Sequence, residues 1–182
     1  MKKENNVLFI LRISMTLLLI AAVVAAALAG VNSITAPIIA KLNAEKTQKA
    51  IVAVLPGGGE EISFTDDSGI VQAVYAGESG YAVQVAPVGF DGAITMMVGV
   101  SKDGSVLGIS VINQTETAGL GAVCAATNSA GEAFRNQFVG LSGELAVSKD
   151  GGQIDAITGA TITSRAVVVG VNAALACVGN FG

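Results

Sequence analysis

An apolar run of 25 residues, Val7 to Val31, constrains the fold of this chain more than any other feature. Arg12 is the only charged residue in the run. In a helix that rises about 1.5 Å per residue, roughly 20 apolar residues cross the hydrocarbon core of a bilayer. Arg12 lies near the N-terminal end, where its long side chain can reach the lipid headgroups. The run therefore predicts a transmembrane helix in contact with membrane lipid.

The orientation of this helix follows from the basic residues around it. Lys2, Lys3 and Arg12 favour a cytoplasmic N-terminus, because positive residues near a span tend to stay on the cytoplasmic side. We expect residues 1–31 to form a short cytoplasmic segment and a single-pass anchor in the cell (inner) membrane, with everything after residue 32 outside the cytoplasm. Three lysines beyond the run weaken this orientation signal: Lys41, Lys46 and Lys49.

A cleaved signal peptide is the alternative interpretation of the same run. Ala27-Leu28-Ala29 has the small-residue pattern of a cleavage site before Gly30. However, the apolar run is much longer than the roughly 7–15 residues of a signal sequence. We therefore expect an anchor that is not cleaved.

The rest of the chain predicts an α+β domain behind a helical connection. Residues 32–55 have a helical apolar pattern and are expected to form a stalk, which ends at Pro56 and three glycines. Four apolar runs of strand length follow, with Asp-Gly turns at 91–92 and 103–104. Helical patterns come later, so residues 56–182 predict a mainly antiparallel sheet with packed helices. The four runs are 70–76, 81–88, 93–100 and 106–112.

Composition excludes several kinds of site and partner. The chain has no His and only two Cys, Cys124 and Cys177, so it cannot supply a four-cysteine zinc or iron–sulfur site or a histidine-ligated haem. We expect no metal site and no catalytic acid–base pair, and an organic cofactor for any redox chemistry. After residue 50 there are four basic and twelve acidic residues, which argues against a nucleic-acid partner.

A cluster of hydroxyl and small residues stands out from Asp155 to Ser164. It follows a turn-rich segment and precedes an apolar run, as a loop does where it enters a helix. Gly159 and Ala160 leave space beside the Thr161 hydroxyl, and the free N–H groups of a helix start could bind a phosphate. The alternative is an ordinary helix cap, for which Thr and Ser are common.

This cluster is more specific than a helix cap. The pattern Asp-x-x-Thr-Gly-Ala-Thr resembles the flavinylation motif of the FMN-binding domain family. The resemblance implies that Thr161 carries FMN through a phosphoester bond, attached by a flavin transferase that uses FAD. It also implies that neighbouring residues form the transferase recognition sequence and the cofactor surroundings, namely Asp155, Thr158, Gly159, Ala160 and Thr163.

A second segment, residues 115–121, resembles another part of the same family. Its glycines could let backbone N–H groups approach a ligand closely, although alone it would be an ordinary connection between a strand and a helix. The sequence Glu-Thr-Ala-Gly-Leu-Gly is similar to the family's Glu-Thr-Pro-Gly-Leu-Gly loop, with Ala118 in place of Pro. The resemblance places this loop against the isoalloxazine ring and implies cofactor contacts for Glu116, Thr117, Gly119, Leu120 and Gly121.

With one N-terminal span and both motifs, the chain resembles the G subunits of Rnf electron-transport complexes, which are related to the C subunit of the sodium-translocating NADH:quinone reductase. The resemblance implies an electron-relay subunit of an oxidoreductase that couples ferredoxin:NAD⁺ oxidoreduction to ion translocation. Its partners would be the other membrane and peripheral Rnf subunits and, for maturation, the flavin transferase. A stand-alone, membrane-anchored extracellular flavoprotein reductase and a non-redox scaffold domain are the two rival functions.

Overall fold

The computed structural model describes the backbone of residues 2–66 and 68–181, and the side chains of residues 7–66 and 68–181. The chain divides into two compact units, Met1–Glu45 and Lys46–Gly182. Helix α1 spans Lys2–Val54. It forms the described part of the first unit, and its last turns belong to the second unit. The second unit contains the rest of the secondary structure.

Helix α1 includes both the predicted anchor and the predicted stalk. It continues through Pro37. In the first unit its large apolar side chains are exposed from Val7 to Leu42, and the helix is long and apolar enough to cross a membrane. These side chains have no protein core to cover them, as expected of a helix whose surface is solvated by lipid.

The second unit begins at Lys46, ten residues before the boundary expected at Pro56. The last turns of α1 pack on one face of the sheet, where they form a small core of their own. A Cβ on Gly99 would lie 2.5 Å from the carbonyl oxygen of Val54, so a glycine is needed for the helix to approach the strand this closely. The buried residues of this core are Ala50, Ile51, Val54, Leu55, Ala82 and Met97.

A five-stranded antiparallel sheet forms the centre of the second unit, with its strands in sequence order. Asp91-Gly92 and Asp103-Gly104 lie in the two connections that flank β4, as predicted. β1 was not predicted, because three residues with two exposed glutamates carry no periodic apolar signal. The strands are β1 Glu60–Ile62, β2 Val71–Ala76, β3 Gly80–Val85, β4 Thr95–Ser101 and β5 Val106–Asn113.

Two helices cover the opposite face of the sheet. Helix α2 spans Ser129–Asn136, and α3 spans Thr161–Gly179. The α3 side chains Val167 and Val171 are buried in the main core with Val83 and Val98 of the sheet. α3 also has the length and composition of a membrane span, but it is largely buried and serves as the core helix of the domain. The predicted α+β class with an antiparallel sheet is confirmed.

Short 3-10 helices complete the domain at Gly121–Ala125 and Ser148–Asp150. Phe134 and Phe138 pack edge to face, with ring centroids 5.6 Å apart, and Phe138 lies just beyond the end of α2. Both aromatic rings belong to the main core, so their role is packing.

Candidate functional site

A cavity of about 320 Å³ opens at one end of the sheet. Four segments meet there: the connection between β3 and β4, the loop after β5, the 3-10 helix Ser148–Asp150, and the start of α3. The meeting of these segments brings both sequence motifs to a single site. The cavity is lined by Phe90, Glu116, Thr117, Leu120, Gly121, Lys149, Gly159, Ala160, Thr161, Ile162 and Thr163.

The carboxylate of Glu116 holds three of these segments together. Its side chain is buried, and one oxygen accepts hydrogen bonds from the backbone N–H groups of Phe90 at 2.9 Å and Asp91 at 3.0 Å. The other oxygen accepts a hydrogen bond from the hydroxyl of Thr163 in α3. A buried carboxylate needs such donors, because burial without them would be costly. Glu116 therefore organises the floor of the cavity.

Two glycines make room for this carboxylate. A Cβ on Gly89 would overlap with one carboxylate oxygen of Glu116 and approach Ile94. A Cβ on Gly121 would lie 2.5 Å from the other oxygen and 2.5 Å from the hydroxyl oxygen of Thr163. Side chains at these positions would displace the groups that form the cavity floor.

The start of α3 supplies hydrogen-bond donors beside the cavity. Thr161 is the first residue of the helix, and Ala160 before it has no side chain that could cap the free N–H groups. Among the described residues, the backbone N–H groups of Thr161, Ile162 and Thr163 have no hydrogen-bond partner. These donors and the positive end of the helix dipole favour an anion at this position.

Lys149 adds a full positive charge at the same point. Its ammonium nitrogen donates a hydrogen bond of 3.0 Å to the hydroxyl oxygen of Thr161. Within the described part of the chain, it is the one cationic side chain that lines the cavity. The next residue, Asp150, pairs instead with Arg165, whose hydrogen bonds hold the pKa of that carboxyl below its ordinary value.

The four hydroxyl groups of the cluster have different environments. Thr163 is buried against Glu116, and the Ser164 hydroxyl donates to the carbonyl of Ala160 and accepts from the N–H of Ile157. Both are therefore committed to the fold. Thr158 is exposed but lies outside the cavity. Thr161 alone among the four combines a place in the cavity with a cation and free N–H donors beside it.

Most of the predicted site residues meet at the cavity, but three do not. Asp155, Thr158 and Gly119 line a neighbouring surface depression instead. The backbone of Asp155 is held there by the side-chain amide of Gln137, through hydrogen bonds of 2.7 and 3.2 Å. The Asp155 side chain is left exposed to solvent, so the structure places the first and last residues of the 155–161 motif at different surfaces.

Three residues at the cavity were not predicted: Phe90, Lys149 and Ile162. Lys149 belongs to a Ser-Lys-Asp-Gly turn, and its only sequence signal is that it is one of four basic residues after residue 50. Phe90 lies within a glycine-rich connection, where an aromatic residue has no packing role that a sequence pattern could indicate.

The donors and apolar groups of the site fit an FMN group. The ammonium of Lys149 and three free N–H groups suit a phosphate beside Thr161. Exposed apolar side chains at the same cavity suit a flat aromatic ring system, with Phe90 66% exposed, Leu120 43% and Ile162 52%. Among the described residues, no group of three or more acidic or cysteine side chains could hold a metal ion.

Both cysteines are free and buried. Burial and the nearby negative charge of Glu116 raise the pKa of Cys124 from an ordinary 9.0 to about 11. The positive charge of Arg135 offsets part of this increase. Burial also raises the pKa of Cys177. Thiols with raised pKa values are poor nucleophiles and poor metal ligands at neutral pH.

Comparison with known proteins gives consistent results. The family model described as FMN-binding domain matches residues 89–176, which include every residue that lines the cavity. The G subunit of the ion-translocating oxidoreductase complex of Methanosarcina acetivorans is 35% identical over 179 residues, covering 91% of this chain and 93% of the relative. The G subunit of the Na⁺-translocating ferredoxin:NAD⁺ oxidoreductase complex of Acetobacterium woodii is 35% identical over 190 residues, covering 90% and 88%. The G subunit of the proton-translocating ferredoxin:NAD⁺ oxidoreductase complex of Clostridium ljungdahlii is 40% identical over 116 residues, covering 59% and 60%.

Proposed function

The chain belongs to the G subunits of the Rnf ion-translocating oxidoreductase complexes, and we propose that it relays electrons within such a complex through an FMN bound to Thr161. The complex would couple ferredoxin:NAD⁺ oxidoreduction to ion translocation, as the names of two relatives state for their own complexes. One of these names specifies Na⁺ and the other protons, so ion translocation is the property that they share.

The environment of Thr161 is the observation that supports covalent attachment of FMN at this residue. Of the four hydroxyl groups in the cluster, its oxygen is the one in the cavity beside a cation and free N–H donors. A phosphoester at this oxygen would place the phosphate charge where the helix start and Lys149 favour it. Gly159, which has a φ of +76°, and Ala160 add little bulk beside this oxygen.

The protein's part in the relay is to hold and surround the cofactor. The electron-transfer chemistry would come from FMN, which is why the site needs no general acid or base. Glu116 keeps the β3–β4 connection, the loop after β5 and the start of α3 in a fixed arrangement. Phe90, Leu120 and Ile162 would shield the ring from water on the open side of the cavity.

Attachment would be made by a flavin transferase that takes the flavin from FAD. The exposed side chains of Asp155 and Thr158 support this step, because a second protein could contact them without entering the cavity. Since the backbone at Asp155 is held by Gln137, this recognition surface would be well ordered.

We further propose that α1 anchors the chain in the cell membrane in a single pass, with a cytoplasmic N-terminus and the domain outside the cytoplasm. The length and apolar surface of α1 support the anchor, and Lys2, Lys3 and Arg12 support the direction. A relay outside the cytoplasm has no pool of free flavin, so a covalent bond would prevent loss of the cofactor. The other Rnf subunits would surround the anchor and the domain.

Intact-mass measurement tests the site of attachment. The chain expressed with a flavin transferase should gain the mass of one FMN less one water, and Thr161→Val should show no such gain. Thr127→Val, at an exposed hydroxyl outside both the cavity and the 155–164 cluster, is the matched control and should keep the flavin. Fluorescence of the Thr161→Val protein on a denaturing gel, or a peptide map that places FMN on another residue, would contradict the assignment.

Protease accessibility tests the orientation. In intact cells or spheroplasts, protease added from outside should digest the domain, and the mature chain should retain its Lys2-Lys3 segment. A mature N-terminus at Gly30 would show instead that the anchor is cleaved.

A further inference from the structure

The tetrapeptide Ser-Lys-Asp-Gly occurs twice in this chain, at 101–104 and at 148–151. Both copies form the same turn. In each, the glycine N–H donates a 3.1 Å hydrogen bond to the serine carbonyl, and the glycine is left-handed, with a φ of +81° at Gly104 and +84° at Gly151. Turn formation accounts for the serine, aspartate and glycine in both copies. The two lysines therefore differ only in what surrounds them.

These surroundings separate Lys149 from Lys102. Lys102 lies in the hairpin between β4 and β5, beside Tyr81 and Phe181, and does not line the cavity. Lys149 lines the cavity and donates to the hydroxyl oxygen of Thr161. Both lysines are exposed, so the comparison is between side chains of the same type in the same turn at different places.

An ion pair on the next residue keeps Lys149 available. Asp150 is the acidic group nearest to it in sequence, but both of its carboxylate oxygens are bound by Arg165, at 2.7 Å from Nε and 2.6 Å from Nη2. Arg165 is on the first turns of α3, so the same pair links the 148–150 turn to the helix start. The Lys149 ammonium donates its hydrogen bond to Thr161 and not to this carboxylate.

We propose that Lys149 is the electrostatic partner of the phosphoryl group that is transferred to Thr161. This inference rests on the proposed function. In the transfer, the Thr161 oxygen attacks the flavin-side phosphorus of FAD. The new O–P bond forms as the bond from that phosphorus to the bridging oxygen breaks, AMP leaves, and the hydroxyl proton passes to a base of the transferase. No atom is oxidised or reduced.

The ammonium is placed to act at two stages of this transfer. Because Lys149 donates a hydrogen bond to the Thr161 oxygen, its ammonium would stabilise the negative charge that develops there as the hydroxyl proton leaves. After transfer, the phosphodiester retains one negative charge beside the same ammonium and the free N–H groups of α3. Lys149 is therefore a positioning and charge-stabilising residue of the modification site, supplied by the modified chain itself.

The test is the initial rate at which the full-length, flavin-free chain in detergent takes up flavin from FAD in the presence of the transferase. Lys149→Met should lower kcat for flavin incorporation by roughly tenfold or more and leave KM for the chain unchanged. A tenfold decrease is the rate change expected when one charge-assisted hydrogen bond is lost. Lys149→Arg should restore most of the rate, because it restores the charge. Lys102→Met, in the identical turn, should match the wild type.

Each other outcome has a definite meaning. The proposal is wrong if Lys149→Met incorporates flavin at the wild-type rate. It is also wrong if only KM rises, because that result would make Lys149 a docking contact for the transferase. An equal loss in Lys102→Met would also overturn it. Thermal unfolding of the flavin-free Lys149→Met, Lys149→Arg and Lys102→Met chains checks that each variant folds. If the wild-type chain itself acquires no flavin at Thr161, the proposed function fails, independently of Lys149.

Discussion

The hydroxyl of Thr163 donates a hydrogen bond to the carboxylate of Glu116, which joins two buried side chains that are 47 positions apart in the sequence. Thr163 is on the first turn of α3, and Glu116 is in the loop after β5. Because Glu116 also accepts two backbone hydrogen bonds from the β3–β4 connection, this bond completes the link between the two sequence motifs. Thr163 thus supports the cavity floor, whereas Thr161 lines the cavity with its hydroxyl beside Lys149.

The first prediction concerns Thr163→Val. The substitution keeps the shape of the side chain but leaves a buried carboxylate oxygen without its donor, so the flavin-free protein should lose about 1–3 kcal/mol of unfolding free energy in a urea titration. Flavin should still attach, because Thr161 is unchanged. Thr158→Val is the control, and as an exposed substitution it should change stability by less than about 0.5 kcal/mol. Equal stability of the two variants would show that the Glu116–Thr163 bond contributes little.

The second prediction concerns the space around Glu116. In Gly121→Ala the new methyl group would lie 2.5 Å from both a Glu116 oxygen and the Thr163 hydroxyl, so we expect a loss of about 1–3 kcal/mol and weaker flavin incorporation. Gly108→Ala in β5 is the matched control, because its methyl group meets only Val54 at 4.0 Å. Alanine is favoured over glycine within a strand by roughly 0.5–1 kcal/mol, so this variant should be unchanged or more stable. A neutral Gly121→Ala would mean that the carboxylate can shift without cost.

The third prediction is a dependence of stability on alkaline pH. The pKa of Cys124 is higher in the folded chain, at about 11, than its ordinary value of 9.0, so the folded state retains the thiol proton after the unfolded state has lost it. The stability due to Cys124 is therefore complete below about pH 9 and falls as the pH rises towards 11. The difference in unfolding free energy between the wild type and Cys124→Ala should decrease by roughly 2–3 kcal/mol across this range. A constant difference would contradict the raised pKa.

The fourth prediction concerns the ion pair that orients Lys149. Arg165→Met frees the Asp150 carboxylate, which can then attract the adjacent Lys149 away from Thr161, so flavin incorporation should slow. Replacing Asp150 as well, in the double variant Asp150→Asn, Arg165→Met, removes the competing charge and should raise the rate again. Global stability should change little in either variant, because the pair is exposed. The explanation fails if the double variant is as slow as Arg165→Met.

The sequence alone was enough to predict the long apolar helix, most of the strands and the two motifs whose residues meet at the cavity. Each of these is a local property: an apolar run long enough for a bilayer, apolar strand-length runs between Asp-Gly turns, and a short motif in consecutive residues. The three-residue strand β1 and the packing of the last turns of α1 on the sheet were not predictable in this way. They depend on contacts with residues that are distant in the sequence.

Within the site, the sequence by itself determined that Thr161 stands at a helix start with little bulk beside it, because capping and turn preferences are read from adjacent residues. Only the tertiary structure decided which hydroxyl in the cavity lies beside a cation, that Asp155 and Thr158 face a different surface, and that Lys149 rather than Lys102 contacts Thr161. Two identical tetrapeptides cannot be distinguished by their own residues. The difference arises from their places in the fold, because 101–104 connects β4 to β5, whereas the packing of α3 on the sheet brings the helix start beside 148–151.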